Sequence, residues 1–245
     1  MRIYLLLVLT ALTASFPALA QQQTVYYHYL SGTGFVINKE GNVITNAHVV
    51  KDCRSISILT ANGEEQATLV AADTKHDLAV LKTPYLSPSV APLRWNISDL
   101  RVGDEVVVMG YPGKEGALGH YQFKKTKVTS LRGPGGQERW IQLASVAAQG
   151  NSGGPVLDTS GNVIAVITGM TLSYKADGNG NPEGVPLSQA DVAIPLVALQ
   201  DFLQQQAIGF YESSSDGHGY ADGALRDNAH HFIVPVRCIQ TVETR

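Results

Sequence analysis

The sequence predicts an all-β protein built from two closed barrels. Of its 245 residues, 44% are hydrophobic, 16% are charged and 24 are glycine, a composition that favours short strands and frequent turns over helices. Short strand-like segments follow one another closely, and closure into a barrel removes the edges that such strands would expose. The segment Tyr111-Pro112-Gly113 interrupts this pattern and divides the chain into two halves.

The first half, about residues 24–110, is expected to form the first barrel. Turn signals such as Glu40-Gly41 and Asn62-Gly63 separate its strand-like segments. The predicted strands are Val25–Tyr29, Gly34–Asn38, Asn42–Thr45, Ile56–Thr60, Ala67–Ala71, Leu78–Lys82 and Glu105–Met109.

The second half, about residues 115–195, is expected to form the second barrel. Its predicted strands are Tyr121–Phe123, Lys127–Leu131, Trp140–Leu143, Pro155–Leu157, Val163–Thr168 and Asp191–Ile194. Apolar residues at helical spacing predict a helix over residues 196–206. Residues 207–245 are expected to be a C-terminal extension, with strand-like segments at Phe232–Val236 and Cys238–Val242 that Pro235 interrupts.

Residues 1–20 are expected to be a cleaved secretory signal peptide. Arg2 precedes the apolar run Ile3–Leu9, and Ala18-Leu19-Ala20 has the small residues of a cleavage site. A membrane anchor is the alternative, but it needs about 18 uninterrupted apolar residues, and polar residues and a proline follow Leu9. The mature protein is therefore expected in the periplasm or outside the cell, without a membrane attachment.

Three polar residues have the order of a catalytic triad. Ser152 lies between glycines in Gly150-Asn151-Ser152-Gly153-Gly154, where backbone N–H groups can converge on a developing oxyanion. A serine nucleophile needs a base and a group that orients the base. His48 and Asp77 lie at the ends of two apolar strand-like runs upstream, and the order His, Asp, Ser is that of one triad class.

With these residues, the chain resembles the trypsin-like serine proteases, and among them the HtrA (DegP-type) branch. The resemblance covers roughly residues 31–206. It is carried by Gly32-Thr33-Gly34-Phe35-Val36-Ile37, Thr45-Asn46-Ala47-His48-Val49-Val50, His76-Asp77-Leu78-Ala79-Val80-Leu81, Leu100-Arg101-Val102-Gly103-Asp104 and Gly150-Asn151-Ser152-Gly153-Gly154-Pro155. It implies two six-stranded antiparallel barrels of the chymotrypsin type with a closing helix, a protein or peptide substrate, and no cofactor or metal.

The resemblance also implies the role of each site residue. Ser152 would attack the scissile carbonyl, His48 would take and return the proton, and Asp77 would orient the imidazole. The oxyanion hole is assigned to Gly150, Asn151 and Ser152, with the N–H groups of Gly150 and Ser152 as donors. Asp73 is a rival to Asp77, but only Asp77 lies in the family's Asp-Leu-Ala block.

Substrate contacts are expected from two segments. In this fold the residue six before the nucleophile lies at the base of the specificity pocket, and here it is Val146, followed by Ala147. A buried ammonium facing a valine would be unpaired, so the pocket should prefer small or medium apolar residues. The strand formed by Val166, Ile167 and Thr168 would bind the substrate backbone by strand addition.

Two other functions remain open. One is a catalytically inactive module of the same fold that binds extended peptides. The other is a protease like the glutamyl endopeptidases and exfoliative toxins, which share the Gly-Asn-Ser-Gly core. Those enzymes tend to have an imidazole beside the specificity pocket, and the corresponding Thr168-Gly169-Met170 has none.

Charge and length exclude several partners. The net charge of −3 is mild and there is no basic patch, so nucleic-acid binding is not expected. The tail is too short for a PDZ domain, so peptide docking by one is not inherited from the family. Asn151 carries no charge to pair with a freed N-terminus, so zymogen-type activation is not expected. Oligomeric state stays open.

Two groups of residues invite a metal-site interpretation that we do not favour. The spacing of Asp177, Asn179 and Asn181 lacks the glycine and glutamate of a calcium loop. His218, His230 and His231 lack a ligand-like spacing, and no cysteine accompanies them.

A disulfide between Cys53 and Cys238 is predicted. These are the only cysteines, and the signal peptide would send both to a compartment where disulfides persist. The bridge would hold the tail against the first barrel near the His48 segment. Two unpaired thiols or an intermolecular bridge are the alternatives.

Overall fold

The first barrel is closed by strands from both ends of the chain. The computed structural model describes residues 26–145, 147–176, 182–215 and 219–242. Strands are numbered along the chain, and six antiparallel ones form this barrel in the order β1, β14, β3, β4, β5, β2. Their bounds are β1 Tyr26–Val36, β2 Asn42–Thr45, β3 Ser55–Thr60, β4 Gly63–Asp73, β5 Leu78–Lys82 and β14 Ile233–Val242.

The second barrel is made from one continuous stretch of chain. It follows the order β10, β7, β8, β9, β12, β11, and β10 closes it by pairing with both β7 and β11. Two short parallel strands, β6 and β13, extend the sheet beside β11. The bounds are β6 Leu93–Arg94, β7 Glu105–Gly110, β8 Gln122–Ser130, β9 Ile141–Ala144, β10 Pro155–Leu157, β11 Val163–Ala176, β12 Pro182–Pro195 and β13 Glu212–Ser213.

Helices occupy the connections. They are α1 Gly113–Ala117, α2 Leu196–Gln205 and α3 Asp222–Ala229, with short 3₁₀ turns at Ala47–Val49 and Pro134–Gly136. The apolar face of α2, with Leu196, Leu199 and Leu203, is buried as its spacing predicts. Burial of one such leucine contributes about 1.5–3 kcal/mol. The predicted all-β fold with two six-stranded antiparallel barrels and a closing helix is confirmed.

The strands that precede the His48 turn and follow Asp77 are buried on both faces. All four residues of β2 are buried, as are Leu78, Ala79, Val80 and Leu81 of β5. Continuous apolar runs are typical of strands covered on two sides. The turn that holds His48 therefore follows one rigid strand, and Asp77 precedes another.

The expected limits of the first barrel need correction at both ends. β7 was expected in the first barrel, but Val107 pairs with Lys125 of β8 and Leu157 of β10, so β7 belongs to the second. The first barrel takes its remaining strand from the expected C-terminal extension, since β14 pairs with β1 on one side and β3 on the other.

Pro235 does not interrupt the tail strand as expected. The two predicted segments form one strand, β14, in which Pro235 lies opposite Thr33 of β1. On its other side β14 pairs with β3 only from Val236 to Ile239. The missing proline N–H therefore removes no ladder bond to β3.

The predicted disulfide is confirmed. Cys53 lies in the connection between the His48 turn and β3, and Cys238 is fully buried on β14. Their Cα atoms are 5.4 Å apart, within the range of native bridges, and 185 residues separate them in sequence. The bridge therefore connects the last strand to the segment that follows His48.

Some expectations fall outside the described residues. These are the signal peptide at residues 1–20, Val146, His218 and the segment with Asp177, Asn179 and Asn181. Within the described part of the chain, no helix is both long and apolar enough to span a membrane. No group of three or more His, Cys, Asp or Glu side chains in that same part could hold a metal ion.

Candidate active site

His48 and Asp77 meet at the mouth of the first barrel. His48 Nδ1 lies 2.7 Å from Asp77 Oδ2, which orients the ring so that Nε2 is the outer nitrogen. The backbone N–H of His48 donates to Asp77 Oδ1 at 2.9 Å. The His48 side chain is 49% exposed, so it can reach a substrate, whereas that of Asp77 is 25% exposed.

The backbone around Asp77 holds the histidine turn in place. Asp77 has a positive φ of 59°, which is uncommon for a residue other than glycine. Its carbonyl oxygen accepts from Ala47 N at 3.2 Å and from Asn46 Nδ2 at 2.8 Å. These contacts stabilise the left-handed conformation and place the two side chains opposite each other.

The Asp77 carboxylate is held in its charged form. Burial opposes ionisation, but hydrogen bonds from the His48 ring, from Thr168 Oγ1 and from the His48 N–H outweigh it. The pKa of Asp77 therefore lies below its ordinary value of 3.8. At neutral pH the site contains a carboxylate that accepts from three donors.

Thr168 connects the pair to Ser152, the candidate nucleophile. Its hydroxyl donates a short hydrogen bond to Asp77 Oδ2, and its carbonyl accepts from Ser152 Oγ at 3.4 Å. Among the described residues, no hydrogen bond joins Ser152 to His48 in this conformation. Hydrogen bonds between catalytic groups are often long or poorly aligned in unliganded enzymes.

The peptides around Ser152 have their carbonyl oxygens engaged. Gln149 O accepts from Gly113 N at 2.8 Å, and Asn151 O accepts from Gly154 N at 2.9 Å. In a trans peptide the next N–H points the opposite way. The N–H groups of Gly150 and Ser152 thus face away from these donors, and within the described residues neither donates to another backbone carbonyl.

The backbone N–H of Asn151 is not available as a donor for the predicted oxyanion hole. Its N–H donates to Ala148 O at 2.9 Å and closes a turn, so the assignment of Asn151 to the oxyanion hole is corrected. Its side chain is 1% exposed and, within the described residues, its amide oxygen and nitrogen have no hydrogen-bond partner. An aspartate at this place would bury an uncompensated charge, which costs far more than an unpaired amide.

A cavity of about 200 Å³ opens beside Ser152. Its lining residues are small or apolar apart from the loop of the nucleophile: Ala147, Ala148, Gln149, Asn151, Ser152, Ile167, Gly169 and Met170. Ala147 and Ile167 were predicted to contact substrate, and both line it. Val146, the expected base, lies outside the described residues.

The backbone of Val166 and Ile167 is already used inside the barrel. Val166 pairs with Pro155 on one side and Ile194 on the other. Ile167 N donates to Gly154 O and Ile167 O accepts from Gly153 N, both at 2.9 Å. The expectation that these residues add a substrate strand is wrong, because only the segment from Thr168 onward has left the pairing with β10.

Sequence reasoning missed a carboxylate behind the cavity. Asp191 is fully buried on β12, accepts from Ala147 N at 2.7 Å and from Ser145 Oγ at 3.3 Å, and lies opposite Met170 in the β11–β12 ladder. A buried Asp within an apolar strand segment was the available signal.

The rival aspartate has a different partner. Asp73 Oδ2 lies 2.5 Å from His76 Nδ1. The rings of His230 and His231 are tilted by 39° with centroids 3.9 Å apart, and His230 stacks on Tyr121. Asp77 is thus the carboxylate that contacts His48.

The sequence of this chain is similar to those of several known proteins. Residues 32–166 match the family described as trypsin-like peptidase domain. The uncharacterized protein y4bJ of Sinorhizobium fredii is 38% identical over 211 residues, 85% of this chain and 32% of that protein. The protein of Brucella suis named "Probable periplasmic serine endoprotease DegP-like" is 32% identical over 73% of this chain and 35% of its own length. The chain thus spans about a third of these relatives.

Solved structures of proteases are similar to the fold of this chain. The HtrA-type protease AlgW with a decapeptide aligns with a TM-score of 0.57 and 25% identity, over 72% of this chain and 51% of that one. The active form of the Rv3671c protease of Mycobacterium tuberculosis aligns with a TM-score of 0.57 and 27% identity, over 75% of this chain and 77% of that one. The chain therefore belongs to the trypsin-like peptidase family, as a protease domain of the HtrA type.

Proposed function

We propose that this protein is a serine endopeptidase of the periplasm or the extracellular space. The observation that supports this most is the continuous set of contacts from Ser152 through Thr168 and Asp77 to His48, beside two unused backbone N–H groups. DegP-like relatives described as periplasmic support the location. AlgW was solved with a bound decapeptide, which supports a peptide substrate.

The proposed mechanism uses these groups in sequence. Ser152 Oγ forms a bond to the scissile carbonyl carbon while its proton passes to His48 Nε2. The carbonyl oxygen becomes an oxyanion that accepts from the N–H groups of Gly150 and Ser152. His48 then gives the proton to the leaving amine, and the C–N bond breaks to leave an acyl-enzyme. Water, deprotonated by His48, releases the acid and restores Ser152.

Asp77 would act through His48 rather than on the substrate. Its bond to Nδ1 keeps the proton there and leaves Nε2 as the acceptor for the serine proton. Its charge stabilises the imidazolium that forms.

The cavity supports cleavage after small or medium apolar residues such as Val, Ala, Ile or Leu. A volume of about 200 Å³ and walls from Ala147, Ile167, Gly169 and Met170 suit such side chains. Asp191 could in principle attract a basic side chain, but it is buried behind Ala147 and accepts hydrogen bonds from the pocket wall. Peptide-library profiling should show apolar residues at the cleaved position. Dominant cleavage after Arg or Lys that Asp191→Asn abolishes would reverse this assignment, and dominant cleavage after Glu would favour the glutamyl-endopeptidase alternative.

The activity itself is tested with Ser152→Ala. The triad acts as a unit, so casein cleavage should fall by about 10⁴- to 10⁶-fold, and labelling by a fluorophosphonate probe should disappear. Ser98→Ala, at an exposed position, is the matched control and should retain both. Equal cleavage by wild type and Ser152→Ala would contradict the proposal. A wild-type protein that binds peptides but neither cleaves casein nor takes the probe would indicate the inactive binding module.

A further inference from the structure

The loop that forms the oxyanion hole has little local preference for one conformation. Gly150 and Gly153 both have positive φ, 102° and 86°, and glycine populates several other conformations about as readily. A peptide flip in such a loop would turn a carbonyl oxygen toward the oxyanion position. The orientation seen here therefore needs anchors outside the loop.

Thr33, on β1 of the first barrel, supplies two of these anchors. Its Oγ1 donates to Gly150 O at 2.7 Å, and its backbone N–H donates to Ser152 O at 2.8 Å. Thr33 thus holds the Gly150–Asn151 and Ser152–Gly153 peptides, each of which follows a peptide whose N–H group faces the substrate. Thr33 is fully buried, so water does not compete for these bonds.

The Thr33 hydroxyl has one orientation available. Tyr111 N donates to Oγ1 at 2.9 Å, which occupies a lone pair and directs the hydroxyl proton toward Gly150 O. The Thr33 carbonyl accepts from Thr45 Oγ1 at 2.7 Å, which fixes the backbone from the neighbouring strand. The loop also packs closely against Thr33, since a Cβ added to Gly153 would lie 2.2 Å from Thr33 O.

We propose that Thr33 is a positioning residue for the oxyanion hole: it holds the peptides that follow Gly150 and Ser152 against the first barrel, and so limits the conformations of the two residues whose N–H groups form the hole. This inference rests on the proposed peptidase function. It gives Thr33, the central residue of Gly32-Thr33-Gly34, a task that the sequence alone does not reveal. The first barrel would then support the oxyanion hole in addition to supplying the base. Thr33 touches neither substrate nor the reacting atoms.

The test replaces the hydroxyl with a methyl group of similar size. Thr33→Val leaves Gly150 O without its donor and Tyr111 N without its acceptor, whereas the backbone bond to Ser152 O can persist. We expect kcat on a peptide substrate to fall about 10- to 100-fold with KM within about twofold, somewhat less than loss of a hole donor itself causes. Affinity for a peptide boronate, whose tetrahedral adduct places an oxygen in the hole, should fall in parallel.

Two controls separate positioning from a general loss of stability. Thr33→Ser keeps the hydroxyl and should restore kcat to within about threefold of wild type. Thr83→Val removes another buried threonine hydroxyl, the acceptor of Tyr85 N, at the end of β5, and should reduce thermal stability without changing kcat or boronate affinity. Thr33→Ala serves as the second deletion variant if Thr33→Val does not fold.

Each outcome decides the matter. Unchanged kcat and boronate affinity in a folded Thr33→Val or Thr33→Ala protein would overturn the inference while wild-type cleavage leaves the proposed function standing. A loss in Thr33→Ser as large as in Thr33→Val, or an equal loss in Thr83→Val, would overturn it as well. A wild-type protein without peptidase activity would instead contradict the proposed function itself.

Discussion

The two barrels are assembled in opposite ways, although each supplies part of the same site. Every strand of the second barrel comes from residues 105–195, so its closure is local. The first barrel combines residues 26–82 with β14, which the chain reaches only at residues 233–242. It cannot close until almost the whole chain is present.

The residues that the two barrels bring to the site are also held in place in different ways. His48 and Asp77 belong to the barrel with the long-range closure, and they are bound to each other through side-chain and backbone contacts. Ser152 belongs to the locally closed barrel, but it lies on a glycine-rich loop anchored from outside. If Ser152 is the nucleophile as proposed, it depends on the first barrel for the position of its loop as well as for its base.

Removal of β14 should have the largest effect. Deletion of residues 232–245 removes the strand that joins β1 to β3, which opens the barrel, and it removes the buried Phe232, Ile233 and Val236. We expect complete loss of peptidase activity. Hydrogen exchange should show fast exchange in β1–β5 while β7–β12 keep substantial protection.

The matched control for that deletion lacks only residues 243–245, beyond β14, and should keep its activity. Equal loss of protection in both barrels would contradict this prediction, since it would mean that the second barrel cannot hold its structure without the first.

Asp77→Asn should have the next largest effect. The amide cannot keep the proton on His48 Nδ1 in the way a carboxylate does, so kcat should fall by about 10⁴-fold, as in other enzymes with this triad. Asp73→Asn breaks a similar contact, with His76, outside the site and should leave activity unchanged. Equal losses of activity in the two variants would contradict this prediction. They would show that both carboxylate–histidine contacts support the fold and that Asp77 has no separate role in the chemistry.

The same variant predicts a pH dependence of stability. The pKa of Asp77 is lowered in the folded state, so its contribution is present above the ordinary value of 3.8 and is lost as pH falls through the lower folded value. The difference in unfolding free energy between wild type and Asp77→Asn should therefore shrink in that acid range. Denaturant unfolding at neutral pH and at a series of acid values measures it; a difference that is constant with pH would contradict the lowered pKa.

Loss of the disulfide should have the smallest effect. In the chain-entropy model, a bridge between residues separated by 185 positions contributes roughly 5 kcal/mol, and measured values are commonly 2–4. We expect Cys53→Ser/Cys238→Ser to lower the free energy of unfolding by a few kcal/mol, chiefly in the first barrel, and to reduce activity because Cys53 follows the His48 turn closely.

Alkylation and intact mass give the control for that experiment. The unreduced, denatured wild type should carry no alkyl groups and the reduced protein two. A double variant that matches wild type in both stability and activity would show that pairing of β14 alone closes the first barrel.

Local patterns were sufficient for much of this molecule. The continuous apolar run Leu78–Leu81 indicates a strand covered on two sides, and the leucine spacing of residues 196–203 indicates α2. The residues His48, Asp77 and Ser152 stand out because their sequence surroundings are specific. Even the Cys53–Cys238 bridge could be predicted, because only one intramolecular pairing of two cysteines exists.

Contacts between distant segments could not be predicted in this way. Val166 and Ile167 look like any strand beside a pocket, and only the pairing with Pro155, Gly153 and Gly154 shows that their backbone is in use. In the sequence the N–H of Asn151 cannot be told from those of its neighbours. Only its bond to Ala148 O shows that it is not available to an oxyanion.

The identity and spacing of residues along the chain were enough to predict the fold class, the candidate triad in its order His48, Asp77, Ser152, and the disulfide. Only the folded protein shows that β14 completes the first barrel, that Asp191 lies behind the pocket and that Thr33 donates to Gly150 O. A backbone N–H or carbonyl can bond to any partner, and the partner is fixed only when packing brings two distant segments together.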